Sequence, residues 1–319
     1  MNALPELLLG ELYSQDEAKQ RLTKDYILKA QFSAFGKEYQ KILLEFEKGI
    51  KPLPMYLDGF FDYCIGNPSN MDTTSILLSD ILGCKVTITE QLDDVINVTD
   101  KLNYYTVRYA IKFENESMAD LVLMKMDFTP SEEMLECIQA NNTISQYNRL
   151  KQIKGSHFRF DLLRPCYTVI FTEKSLQNVK KQDKINDFCV WHDNKTFSQG
   201  APSLSHLIML SYEDYLRSKG KKNSNLDAWM TFLTSNDPSD ALQLATIFPH
   251  FAEIYKRASL LRNDTPNLIN LMANSIRHRE HNDLVFAHAA AVFEVNGLIA
   301  HNKELQTDLY YSRKKASKK

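Results

Sequence analysis

The sequence predicts an α/β protein built on a mixed sheet flanked by helices, and three observations lead there. "YYTVRYAIKF" (104–113) alternates, with Val107, Tyr109, Ile111 and Phe113 set against Thr106, Arg108, Ala110 and Lys112, the period-two pattern of a half-buried strand. "ADLVLMKMDF" (119–128) is apolar on both faces, as a central strand is. A long polar-apolar segment then precedes another apolar strand, so a helix crosses between two strands.

The first 50 residues read as helices: "SQDEAKQRLTKDYILKAQF" opens on Ser14 as N-cap and "KEYQKILLEFEKG" closes on Gly49. The turn "KPLPM" leads to "YLDGFFDYCIGNP", and "MDTTSILLSDILG" reads as a helix ending at Gly83. "KVTITEQL" is a strand, followed by 104–113, the turn "ENES" and the central strand. "PSEEMLECIQANNTISQYNRLKQIKG" is a helix with Pro130 near its first turn and Glu132 and Glu133 at its positive end. "PCYTVIFTEKS" (165–175) is the next strand. Residues 238–310 are expected to be helical, so the chain divides into a helical extension (1–50), an α/β core (51–235) and a helical region with a basic tail (236–319).

Composition narrows the function classes. The 319 residues carry a formal net charge of −2, which does not mark a nucleic-acid binder globally. Locally, "KSLQNVKKQDK" (174–184), "RSKGKK" (217–222) and the tail "SRKKASKK" are basic. Five cysteines without a CxxC pair argue against a disulfide framework or a zinc module. No basic segment precedes the short apolar run at the N-terminus, and no apolar run reaches the ~20 residues of a membrane span, so a cytoplasmic protein without a membrane partner is expected. His278, His281, His288 and His301 cluster late in the chain without an HExxH pattern, and no GxSxG, P-loop or GxGxxG motif occurs. Trp229 and Phe232 share a helix face suited to packing.

Several segments carry a family resemblance. "RPCYTVIFTEKS", "LIMLSYEDYL" and "LDAWMTFLTSNDPSDALQLATIFPHFAEIY" resemble the second half of the PD-(D/E)XK nuclease family transposases, the recombination-promoting nuclease/putative transposase group. "DGFFDYCIGNPSNMDTTSILLSDILGCKV" is similar to the family's opening, and "SQYNRLKQIKG" to the end of its central helix. The resemblance spans residues 55 to 270 and is most specific at Leu226–Leu233. It implies a restriction-endonuclease-like fold and a Mg²⁺-dependent nuclease, whose ion is held by an Asp on one strand and a Glu-x-Gln on the next. Residues two apart on a strand face one way, which brings such ligands into one cleft.

Laid on that pattern, the Asp position is Arg108, the Glu position Val122 and the Gln position Met124. Asp58 and Phe61 of the opening motif are kept, its lysine becomes Asp62, and Met134 and Ile138 stand where an Arg and a Tyr are expected. A hard cation needs oxygen ligands, which valine and a thioether do not supply, and a guanidinium repels it. The expectation is a protein without catalytic residues, metal or cofactor that binds nucleic acid or a protein partner. Lys180, Lys181, Lys184, Lys219, Lys221 and Lys222 are the candidate nucleic-acid contacts. Two alternatives stand beside it. One is an active Mg²⁺ nuclease with relocated ligands drawn from Asp120, Lys125 and Asp58, with Glu90, Asp93 and Asp94 near the first strand. The other is a nuclease mimic that inhibits or regulates a defence or mobile-element system. Asp120, an acid at the start of a strand, is expected to be solvated.

Overall fold

The computed structural model describes residues 9–92, 102–152, 164–175, 183–186, 189–193, 205–218 and 224–316. Three helices come first: α1 (Gln15–Leu22), α2 (Tyr26–Ala34) and α3 (Lys37–Glu47). Ser14 caps α1 as expected, its hydroxyl accepting from the Glu17 N–H while the Glu17 carboxylate accepts from the Ser14 N–H. The short helix α4 (Asp58–Phe61) runs into a π-helical turn, Asp62–Gly66, and α5 (Met71–Leu82) follows.

Seven strands among the described residues form one sheet in the order β1-β2-β3-β4-β7-β6-β5. They are β1 (Val86–Leu92), β2 (Tyr105–Phe113), β3 (Met118–Met126), β4 (Cys166–Thr172), β5 (Asp183–Asn186), β6 (Cys189–Asp193) and β7 (Ser205–Ser211). β1, β2 and β3 are antiparallel neighbours, β3, β4 and β7 run parallel, and β7, β6 and β5 are again antiparallel. A parallel pair needs a long crossover, and α6 (Glu132–Gln152) supplies it between β3 and β4. The mixed sheet flanked by helices is therefore as the sequence predicts.

After β7 come α7 (Tyr212–Arg217), α8 (Asn225–Thr234), α9 (Pro238–Ile247), α10 (Pro249–Ser259) and α11 (Thr265–Ala316). One sheet face, with Val107, Tyr109, Ile111, Leu121, Leu123, Val169 and Phe171, joins the N-terminal helices, α5, α8, α10 and Leu268–Ile276 in the main hydrophobic core. Trp229 is fully buried there and packs on Phe232 and Phe251, while its indole N–H donates to Asp80 at 2.8 Å. On the opposite face Asn142 of α6 donates to Thr168 of β4 at 2.8 Å.

Arg262 ties the N-terminal segment to this core. Its buried guanidinium donates to the carbonyls of Leu9, Glu11 and Glu47, and Arg21 pairs with the fully buried Glu47 carboxylate. A planar five-donor fork suits donation to several carbonyls at once.

The described chain divides into two compact units. The first runs to Ile276 apart from residues 102 and 103, and those two join Arg277 onward in the second. In the second unit the Asn282 side chain reads the backbone of Asn103 from both sides, accepting its N–H and donating to its carbonyl, each at 2.7 Å. No helix among the described residues is long and apolar enough to cross a membrane.

Candidate functional site

Lys125 is the centre of the most unusual polar cluster. It lies one residue before the end of β3, on the face that carries Leu121 and Leu123, opposite Tyr105 of β2. Its side chain is fully buried, and a buried ammonium is tolerable only when paired. The partners are Asp58, with Nζ 2.5 Å from Oδ1, and Glu173, with Nζ 3.5 Å from Oε1. Each acid keeps 16% of its side-chain surface exposed, so the lysine is covered by its counterions rather than by solvent.

Separate elements place the two acids. Asp58 opens α4, which lies close against the first turns of α11: a Cβ on Gly59 would stand 2.6 Å from the Leu271 carbonyl oxygen, and the Gly59 N–H donates to Ser275 Oγ at 2.9 Å. Only glycine allows that approach. Glu173 follows β4 directly, its N–H donating to the Met126 carbonyl and its carbonyl accepting from Glu213. The turn after it is fastened to α7, with Ser175 Oγ donating to Asp214 at 2.6 Å and Ser211 Oγ to the Lys174 carbonyl at 2.9 Å. The cluster thus stands at the carboxyl ends of β3 and β4, the edge where open α/β sheets hold ligands. Beside it the Tyr212 hydroxyl is buried and has no hydrogen-bond partner among the described residues. Burial, and then the charges of Glu173 and Asp58, push its pKa well above the ordinary phenol range.

A second polar group adjoins on the same face. Burial raises the Asp62 carboxyl above the usual carboxylate range, partly opposed by the Tyr105 hydroxyl facing it. Tyr105 and Tyr109 are raised in turn by burial, and the Tyr109 hydroxyl donates to the Gly66 carbonyl at 2.8 Å. Gly66 is required here, because a Cβ would sit 1.7 Å from the Tyr105 hydroxyl.

Of the positions singled out by the family pattern, Asp58, Phe61 and Asp62 lie on this face, whereas Arg108, Val122 and Met124 lie on the opposite one, toward α6. Arg108 stands opposite Val122 and diagonal to Asp120, and its Nη2 is 2.9 Å from Asp120 Oδ2. Both are buried, so Asp120 is not the solvated strand-end acid expected from sequence. Its partner sits on the neighbouring strand, at a register no local pattern reveals. Val122 and Met124 are fully buried packing residues. These residues do not fit a Mg²⁺ ion: the one carboxylate among them is committed to a guanidinium, and Val122 and Met124 offer no oxygen. Nor do Asp58 and Glu173 present an open pair, since the Lys125 ammonium takes the space between them. Among the described residues, no three His, Cys, Asp or Glu side chains are grouped to hold a metal.

Of the relocated candidates, Asp58 and Lys125 come together and Asp120 stands apart with Arg108; Glu90 is exposed on β1, and Asp93 and Asp94 lie outside the described residues. Lys180, Lys181, Lys219, Lys221 and Lys222 also lie outside them, while Lys184 is on β5 with its side chain outside the description. The sequence reading missed Glu173, Asp62, Tyr105 and Tyr212 as site residues. A charged residue directly after an apolar strand, as Glu173 is, was the available signal. No family model, curated protein or solved structure matches the chain.

Proposed function

We propose that this chain is a catalytically degenerate relative of the PD-(D/E)XK nuclease/transposase proteins, acting as a binding factor for nucleic acid or a protein partner. The order α5–β1–β2–β3–α6–β4, with β3 and β4 parallel, supports a restriction-endonuclease-like core. The observation that carries the loss of catalysis is the Lys125 ammonium, 2.5 Å from Asp58 and fully buried. It supplies from within the chain the positive charge that a divalent ion would bring from outside. Purified protein incubated with supercoiled plasmid and Mg²⁺ or Mn²⁺ should leave the plasmid intact. Anisotropy titrations with DNA and RNA at two salt concentrations then identify the partner class: binding that weakens steeply with salt assigns nucleic acid, and none assigns a protein.

One observation favours a second reading, a nuclease with relocated ligands. Asp58 and Glu173 converge on a lysine at the carboxyl edge of the sheet, and both stay partly exposed. Plasmid cleavage that disappears in both Asp58→Asn and Lys125→Met would establish it and overturn the binding-factor reading.

A further inference from the structure

We propose that α11 pairs with the α11 of a second copy of this chain as a two-stranded coiled coil. Within the second unit Leu284 and Val295 are 71% and 54% exposed on one helix stripe, with Val292 flanking it at 45%, and a contiguous exposed apolar stripe marks an interaction surface. Leu284, His288, Ala291 and Val295 follow one another at spacings of four, three and four, the seam of a heptad repeat. The sequence continues in step with Leu298, Asn302, Leu305 and Leu309. In heptad terms the a positions are His288, Val295, Asn302 and Leu309, and the d positions are Leu284, Ala291, Leu298 and Leu305. Val295 and Asn302 at a, with leucine at three of the four d positions, favour two strands in a fixed register.

The chemistry points to a like partner. From Leu284 to Ala300 the sequence holds a single charged residue, Glu294, so the stripe offers nothing to attract phosphate or a charged peptide. A stripe of this kind is complementary to itself, and a two-fold interface needs only one such patch. Size allows it too. The backbone is helical to Ala316, and its 40 residues from Arg277 make a rod about 60 Å long and 10 Å wide. Paired along the seam from Leu284 to Leu309, about 39 Å of it, two such rods bury roughly 800 Å² in total, the size of a weak dimer that dissociates on dilution. An isolated helix of low internal support is marginal in water, so pairing also stabilises the segment.

Sedimentation equilibrium of the full chain tests this. The expected result is a dimer that dissociates on dilution. The double variant Leu284→Glu with Val295→Glu should sediment as a monomer at concentrations where the parent is dimeric. Ala291→Leu, which fills a small seam position, should tighten association by about tenfold or more. That variant adds apolar contact without a buried charge, so it tests the seam even if the double variant misfolds. A parent chain that stays monomeric up to 100 μM, whatever else it binds, overturns the proposal, as does an association constant unmoved by Ala291→Leu.

Discussion

Lys125 and Asp58 are 67 residues apart in sequence and 2.5 Å apart between Nζ and Oδ1, with the ammonium wholly out of solvent. Removing the cation leaves two acids facing each other with little water. Lys125→Met is therefore expected to cost about 3 kcal/mol, because breaking a buried pair is far more damaging than never having made it. Combining it with Asp58→Asn should recover part of that loss. Urea denaturation of the parent, the two single variants and the double variant measures both effects, and a fully additive double variant would show that the two side chains do not couple.

The pair on the other sheet face should behave in the same way. Arg108→Met or Asp120→Asn alone strands a buried charge and should lower stability by roughly 3 kcal/mol. Arg108→Met with Asp120→Leu replaces both by apolar side chains and should lie much closer to the parent. Denaturant midpoints separate the cases.

Asp62 gives a prediction in pH. Burial raises its folded-state pKa, so its contribution to stability is complete below the unfolded carboxylate value, about 3.9, and is lost as pH climbs through the raised value. Asp62→Asn is nearly isosteric and cannot ionise. The variant should be more stable than the parent at neutral pH, and the two should converge in acid. Thermal melts from pH 3 to pH 8 measure the difference, which cancels the other titrating groups. A gap that widens toward low pH would contradict the argument.

Trp229 separates packing from polar pairing. Trp229→Ala empties a fully buried site among Phe232 and Phe251 and should cost about 3–5 kcal/mol. Trp229→Phe fills most of the volume but leaves Asp80 without the indole donor, a loss of about 1 kcal/mol because Asp80 is only partly buried and also holds Asn225 at 2.8 Å.

Gly59 tests the seating of Asp58. Gly59→Ala drives a Cβ to 2.6 Å from a backbone carbonyl that cannot rotate away, so α4 must shift and carry Asp58 with it. Loss of stability similar to that of Lys125→Met, and little further loss when the two are combined, is the expected outcome. Independent, additive losses would mean that α4 moves without disturbing the ion pair.

The sheet was largely legible because its strands carry strong local patterns. β2 alternates in residue type, although the structure buries both its faces from Val107 to Ile111, and β3 is apolar apart from Asp120 and Lys125. α6 opens on Glu132 and Glu133 just after Pro130. β5 and β6, four and five residues long, are too short for alternation to separate them from loop. The site was legible only in its members. Lys125 and Asp58 could each be noted, but their meeting depends on the packing of α4 against α11. Glu173 enters through the parallel pairing of β4 with β3. Asp120 misled for the same reason, since a diagonal neighbour on β2 has no signature along β3.

The arrangement of the sheet sets an order for folding. β1, β2 and β3 form a meander of adjacent strands, and such local contacts close at little entropic cost. Joining β4 to β3 must wait for the α6 excursion, and seating β7 on β4 waits for a further one that carries β5 and β6. The slow event in refolding is therefore expected to be the joining of β4 to β3, with the meander formed before it and β7 docking after it. Substitutions in β7 should accelerate unfolding while leaving the refolding rate nearly unchanged if β7 is last to dock.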